Sequence, residues 1–248
     1  LVSGSLPPGM TLSETGVLSG TPTQAGTFTF TVQATDANGA TATQTITKKV
    51  IGCVTPPTDL KAWWPFDGNG EDSIGGNDAT LSNGAYFVSG KVGQAVSFDG
   101  VNDRAITALG ESGYLPYPNT FTIEFWAKPT MPHEIDQEST SGVAGTFGQR
   151  YAIGPSYIPP PNAGAGLSVG TNGISVYEVS SYYMPPLLVW YAPTPLTDWT
   201  HIALVYENKT PKLYVNGQFV KTGLTSSRAN VYPSAGLFGA GVHGSPYG

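Results

Sequence analysis

Two stretches, Thr120-Phe-Thr-Ile-Glu-Phe-Trp-Ala-Lys-Pro129 and Trp199-Thr-His-Ile-Ala-Leu-Val-Tyr-Glu207, place an apolar residue at every second position. A period of two is the signature of a strand with one buried face. In the first stretch Phe121, Ile123, Phe125 and Ala127 share one face, and Thr122, Glu124, Trp126 and Lys128 share the other. The second is followed by Leu213-Tyr-Val-Asn-Gly-Gln-Phe-Val220, where Asn216-Gly217 sits between two apolar runs. Both central residues of a type I′ turn need φ > 0, so this dipeptide predicts a hairpin. Together the segments predict an antiparallel β-sandwich that presents a surface.

Composition extends that reading to the whole chain. Gly 32 and Pro 21 among 248 residues, with only 11% charged, favour many short strands joined by turns. No useful window repeats apolar residues at helical spacing, so the fold class expected is all-β. Eleven basic against seventeen acidic residues leave a net charge of −6, which argues against nucleic acid and anionic membrane surfaces as partners. No apolar run approaches the roughly 20 residues that span a bilayer, so membrane insertion is not expected. The first residues, Leu1-Val-Ser-Gly, show neither an initiator Met nor a signal peptide, and are read as a mature, processed or fragment N-terminus. A single cysteine, Cys53, excludes an internal disulfide framework and reads as an unpaired thiol, with intermolecular pairing as the alternative.

Residues 1–50 form the first patterned region. Leu6 to Leu12, Gly16 to Pro22 and Gly26 to Asp36 read as short strands separated by Pro/Gly turns. Phe28, Phe30, Val32 and Ala34 are the buried face of the third, and Ala40 to Val50 is its returning strand. Residues 51–59, with Pro56 and Pro57, lack alternation and read as a semi-rigid linker. The second region, 60–248, contains two irregular stretches: Met131 to Pro161, and Ser180-Ser-Tyr-Tyr-Met-Pro-Pro186 just before the apolar strand Leu187–Tyr191. A connection as long as the first is usually functional or mobile.

Leu60-Lys-Ala-Trp-Trp-Pro-Phe-Asp-Gly68, then Gly90-Lys-Val-Gly-Gln-Ala-Val-Ser-Phe-Asp-Gly-Val-Asn-Asp103, then the two alternating segments, resemble in residues and order the bacterial laminin-G-like, concanavalin A-like jelly-roll modules. Ala165 to Glu178 resembles a variant of these modules found in long surface proteins. Leu6 to Asp36 resembles the immunoglobulin-like repeats of bacterial surface proteins, here as a partial domain that starts late. The resemblance implies an immunoglobulin-like β-sandwich followed by a laminin-G-like jelly roll. It also implies an extracellular or cell-surface recognition and adhesion role, sometimes attached to a carbohydrate-active enzyme. Modules of this kind end with a further strand beside the first one. Gly236 to Gly248 stops short of it, so an open slot is expected beside a Leu60–Phe66 strand.

Acidic residues cluster in turns. Asp67, Glu71, Asp72, Asn77 and Asp78 share one Gly-rich loop, and Asp99, Asn102 and Asp103 share another turn. Calcium takes about six to eight oxygen ligands, which such loops supply. The resemblance strengthens this, so calcium is the one cofactor expected, with Asp67, Asp72, Asn77, Asp99 and Asp103 as its ligands. The alternative is that these side chains bond their own backbone in tight turns. His133, His201 and His243 lie far apart with no zinc spacing. Glu124 and Glu178 stand singly on their strands, without the close-set acids of jelly-roll sugar hydrolases, and no Ser/His/Asp set or phosphate loop occurs, so no enzymatic activity is expected.

Aromatic residues offer a binding site. Tyr177, Tyr182, Tyr183, Trp190 and Tyr191 lie in or beside the second irregular patch, with Asn172 and Glu178 as polar neighbours for sugar hydroxyls. The alternative is packing. Adjacent Trp63 and Trp64 must point to opposite faces, so at least one packs. The sequon Asn208-Lys-Thr210 is read as chance, given the bacterial resemblance. The functional reading is a non-enzymatic extracellular module pair that binds a glycan or a cell-surface or matrix protein. Two alternatives stand beside it: the carbohydrate-binding module of a larger enzyme, and a subunit of a filament or layer in which neighbouring copies complete each domain by strand addition.

Overall fold

The computed structural model describes residues 1–50 and 56–239; Cys53 and His243 lie outside them. The chain divides after Asp59 into two compact units. No α-helix occurs among the described residues.

The first unit holds β1 (Ser3–Gly4), β2 (Met10–Leu12), β3 (Leu18–Gly20), β4 (Gly26–Thr35) and β5 (Thr41–Val50). β4 and β5 pair along their whole length, β1 adds to β4, and β2 pairs with β3. Asp36 starts the β4–β5 turn by accepting from the amides of Asn38 and Ala40. One face of the hairpin is a threonine ladder, with the Thr29 and Thr31 hydroxyls 3.1 Å from those of Thr47 and Thr45. On the other face Phe30 is fully buried, Phe28 and Val32 are half-buried and Ala34 is exposed, so the buried face is narrower than expected. Strands β1 to β3 are only two or three residues long and offer little cover.

The second unit holds β6 (Ala79–Ser82), β7 (Tyr86–Ser89), β8 (Gln94–Ser97), β9 (Arg104–Thr107), β10 (Phe121–Ala127), β11 (Tyr151–Ile153), β12 (Ala163–Gly170), β13 (Gly173–Val179), β14 (Leu188–Tyr191), β15 (Thr200–Glu207), β16 (Thr210–Val215), β17 (Gln218–Thr222), β18 (Val231–Pro233) and β19 (Leu237–Phe238). A four-stranded sheet runs β10-β15-β16-β17. An eight-stranded sheet runs β14-β13-β12-β11-β19-β9-β6, with β18 parallel to β12. The core lies between them: Phe121, Ile123, Phe125, Ile202, Leu204, Tyr206, Leu213 and Val215 pack against Leu167, Val169, Ile174, Val176, Leu188 and Val231. Asn216 and Gly217 have φ of 51° and 76°, as the predicted hairpin turn requires. Asn208 and Lys209 also have positive φ, so the sequon lies in a second tight turn, between β15 and β16.

Two expectations change here, for Leu60–Phe66 and for 131–161, while the opposite facing of Trp63 and Trp64 is as expected. Leu60–Phe66 is not a strand: Trp63 donates its amide to the Asp72 carboxylate and accepts from the Ser73 amide, and Phe66 sits at φ 53°. Side-chain and loop hydrogen bonds replace a ladder there. Trp64 packs, edge-on against Phe238, whereas Trp63 stays exposed. The stretch 131–161 is not wholly irregular, because Tyr151–Ile153 pairs with β12.

Residues 131–149 form a strap across the face of the large sheet that turns away from the core. Every residue of β12 and β13 is buried, on both faces. Ala163, Ala165, Leu167 and Val169 of β12 lie toward the core, and Gly164, Gly166, Ser168 and Gly170 occupy the alternate positions. A Cβ at Gly170 would stand 2.4 Å from the His133 amide nitrogen, so the strap approaches as closely as it does because no side chain is there.

Candidate functional site

The strap accounts for most of the polar residues that resemble a site in sequence. Asp136 Oδ2 accepts from the Tyr177 hydroxyl at 2.8 Å, the Gly145 amide at 2.9 Å and Gln149 Nε2 at 3.3 Å. His133 Nδ1 meets Ser168 Oγ at 2.9 Å and Gln149 Oε1 at 3.3 Å. Burial pushes this imidazole below its ordinary value, against the opposing influence of Gln149 and Asp136, so it is neutral at pH 7. Glu138 pairs with Lys221 and accepts the Val189 amide, which fastens the strap to β14 and β17. A depression of about 410 Å³ lies along the strap at Asp136–Ala144 and Pro185, but both of its acids are already committed to these bonds.

The seven expected ligand-binding residues do not form one site. Tyr177 and Glu178 are fully buried, so neither offers a surface to a glycan. Tyr177 lies under the strap, edge-on to Tyr151. Glu178 accepts from the Ser226 hydroxyl at 2.6 Å and the Tyr206 hydroxyl at 3.2 Å. Desolvation raises its carboxyl to about 7, against the pull of those hydroxyls and of Arg228 and Lys209. Asn172 is a brace, its amide exchanging hydrogen bonds with the His133 backbone on both sides. Tyr183 packs on the Tyr151–Tyr177 cluster, and Trp190 packs against the core. Only Tyr182 and Tyr191 are exposed. Tyr191 pairs with the first residue of β13 and Tyr182 follows its last, which puts them roughly 20 Å apart at about 3.3 Å per residue.

Of the expected metal ligands, Asp67, Asp72, Asp99 and Asp103 accept backbone amides, and Asn77 donates its side-chain nitrogen to Asp72 Oδ2 and the Gly75 carbonyl. Asp72 Oδ1 accepts the amides of Trp63, Ile74 and Gly75, and its Oδ2 accepts the amide and side-chain nitrogen of Asn77. Burial alone would raise this carboxyl, but the backbone donors more than offset it and the net shift is downward. Asp67 Oδ1 accepts from Gln94, and Asp99 Oδ1 from Val101, Asn102 and Asp103, while Asp103 Oδ2 accepts from Asp99. This is turn chemistry. Among the described residues, no group of three or more His, Cys, Asp or Glu is placed to hold a metal.

The other outward face of the sandwich is open. Strands β10, β15, β16 and β17 turn their apolar residues inward and carry Glu124, Trp126, His201, Ala203, Tyr214 and Phe219 outward. Trp126 and Phe219 are 45% and 55% exposed, a large apolar area for a solvent-facing sheet. Trp126 lies opposite His201, with ring centroids 5.2 Å apart and planes at 56°. Tyr214 lies opposite Phe219, at 5.6 Å and 66°. Between the pairs the register sets Ala203 beside Glu124 on one side and Tyr214 on the other. Lys91, from the β7–β8 turn, holds its ammonium 5.2 Å from the Trp126 ring centre. Glu124 Oε2 is 3.7 Å from His201 Nε2. The face thus combines two aromatic pairs with a carboxylate, an ammonium and an imidazole around a small central residue. That inventory suits rings with C–H faces and hydroxyl edges, and it contains no nucleophile–base pair. The sequence signal was Trp126 itself, an aromatic at a solvent position of a strictly alternating strand.

A family model described as "Concanavalin A-like lectin/glucanases superfamily" matches residues 98–247, and one described as "Putative Ig domain" matches residues 1–51. Among solved structures, domain 4 of AbnA, a GH43 extracellular arabinanase from Geobacillus stearothermophilus, in complex with arabinotriose, is similar at 20% identity and a TM-score of 0.48, over 75% of this chain and 86% of that one. No curated protein matches the chain.

Proposed function

The chain belongs to the concanavalin A-like lectin/glucanases superfamily, and on that premise we propose that its larger unit is a non-catalytic carbohydrate-recognition module that holds a glycan on the open face of β10, β15, β16 and β17. The observation that carries this reading is the exposed pair of aromatic couples, Trp126–His201 and Tyr214–Phe219, among hydrogen-bonding groups. The single strand acids support the non-catalytic part. Glu178 points into the interior, out of reach of a substrate, and Glu124 lies beside His201 in the open. An Ig domain precedes the module in the chain, an arrangement that fits an extracellular or surface protein presenting a recognition surface. The same face would serve a module carried by a carbohydrate-active enzyme.

The test is retention on immobilised polysaccharides and binding to a glycan array, with and without chelator, for the wild type and Trp126→Ala. Binding by the wild type that weakens about tenfold in the variant is expected, since one aromatic contact is worth about 0.5–1.5 kcal/mol beyond its area burial. A wild type that binds no glycan would overturn the reading. So would turnover of β-glucans, galactans or sialosides lost in Glu124→Gln.

A further inference from the structure

We infer that the open face recognises the interior of a single, flexible polysaccharide chain rather than a chain end or a crystalline polysaccharide surface; this rests on the glycan reading above.

Three features of the face lead to it. The row of outward residues begins on β10 and ends on β17, the two edge strands of the sheet; among the described residues no further strand of that sheet lies beyond either of them, and at the β10 end the Lys91 side chain stands over Trp126. A chain laid along the row can therefore continue past both edges, whereas a site for a terminal sugar needs a closed end. Second, the rings do not share a plane. His201 is tilted 56° from Trp126, and Phe219 66° from Tyr214. A flat array of parallel chains cannot lie on all of them together, but one chain free to twist from ring to ring can. Third, the two couples are separate. Trp126 and Phe219 lie three strand spacings apart across the sheet, about 14 Å at roughly 4.8 Å each, with the small Ala203 on one of the two strands between them. A single sugar touches one couple, while a longer chain touches both, and the second contact is then made at high effective concentration. Glu124, Lys91 and His201 stand at the Trp126 end, where they reach hydroxyls along the chain.

A protein partner would fit this face less well. An exposed row broken by a carboxylate, an ammonium and an imidazole offers no continuous apolar core of the kind that stable interfaces bury.

The experiment compares retention of the whole chain on soluble β-glucan, xylan, mannan, galactan and arabinan and on microcrystalline cellulose. Titration follows with size-graded fragments of each retained polymer, with native and borohydride-reduced ends. Affinity is expected to rise at least tenfold from the shortest fragment to one that spans Trp126 and Phe219, then level off. End reduction should leave it unchanged, and microcrystalline cellulose should retain little protein. Trp126→Ala and Phe219→Ala should each flatten the length dependence while melting like the wild type. Short fragments that bind as tightly as polymer, loss of binding on end reduction, or strong retention on the crystalline material would each overturn the inference while leaving the glycan reading standing. Retention on no polysaccharide overturns both. Length dependence untouched by either substitution removes this face as the site.

Discussion

The two outward faces of the larger unit make an instructive contrast. Both belong to sheets that bury one side in the same core, and both therefore had a second side to dispose of. The eight-stranded sheet covers part of its second side with the strap, where Ser168, Gly170 and the hydrogen-bonded Tyr177 face it. The four-stranded sheet leaves its second side to solvent, yet that side carries Trp126 and Phe219. At Gly170 the covered face has no side chain because the strap backbone lies against it, whereas the open face carries large aromatic residues that stay about half exposed, with the Lys91 ammonium over Trp126. Aromatic content alone thus misleads about function. Tyr177 and Trp126 are both aromatic residues on regular strands, but the first fills an interior and the second does not.

The contrast breaks most readily at the strap. Asp136→Ala leaves the Tyr177 hydroxyl and the Gly145 amide without this acceptor, each buried orphan costing about 1–3 kcal/mol, and removes one of the two bonds of Gln149 Nε2. A loss of roughly 3 kcal/mol or more in urea unfolding is expected, with faster hydrogen exchange over 131–149 and unchanged glycan affinity. A parallel fall in affinity would show that the two faces are not independent.

Glu178 sharpens the contrast from within the core. Its carboxyl is raised from the ordinary 4.5 to about 7 because burial disfavours the charged form. The folded state therefore holds the proton more tightly than the unfolded chain does. Its contribution is full below about 4.5, declines as pH rises, and is gone above about 7, a difference of roughly 3 kcal/mol at 1.36 kcal/mol per unit. Subtracting the stability–pH profile of Glu178→Gln from that of the wild type should leave this decline, and a flat difference would contradict it. Glycan binding by Glu178→Gln should match the wild type at pH 6, because the residue has no surface.

Smaller in energy is the open face, where Trp126→Ala should weaken binding about tenfold, near 1.4 kcal/mol, and shift stability by less than about 1 kcal/mol because the ring is half exposed. Smallest of all is calcium. With Asp72 and Asp99 already serving backbone amides, melting curves in calcium and in chelator should coincide. A shift of several degrees would restore a cation at these loops.

Where strands bury one face, the sequence was legible. β10 and β15 follow from apolar residues at every second position and β16 from its place before the turn, and Asn216-Gly217 adopts the positive φ values that the turn demands. Strands buried on both faces were not read so simply. Gly170 and its neighbours carry no side-chain pattern that announces a strap, because the strap is held by tertiary bonds from His133 and Asp136 to residues 35 and 41 positions later in the chain. Leu60–Phe66 looked like a strand through its apolar content, but Asp72 captures its backbone. The grouping of Tyr177, Tyr182 and Tyr191 failed because Tyr177 is buried and the other two lie at opposite ends of β13, which only the hairpin register reveals.

The central claim is that recognition belongs to the open face. The direct measurement is an NMR titration of the wild-type chain with whichever polysaccharide it retains, following backbone amides and indole N–H groups. Shifts concentrated at Trp126, His201, Ala203, Tyr214 and Phe219, with the strap silent, are the predicted result. Shifts concentrated at residues 131–149, or at Tyr182 and Tyr191, would contradict it.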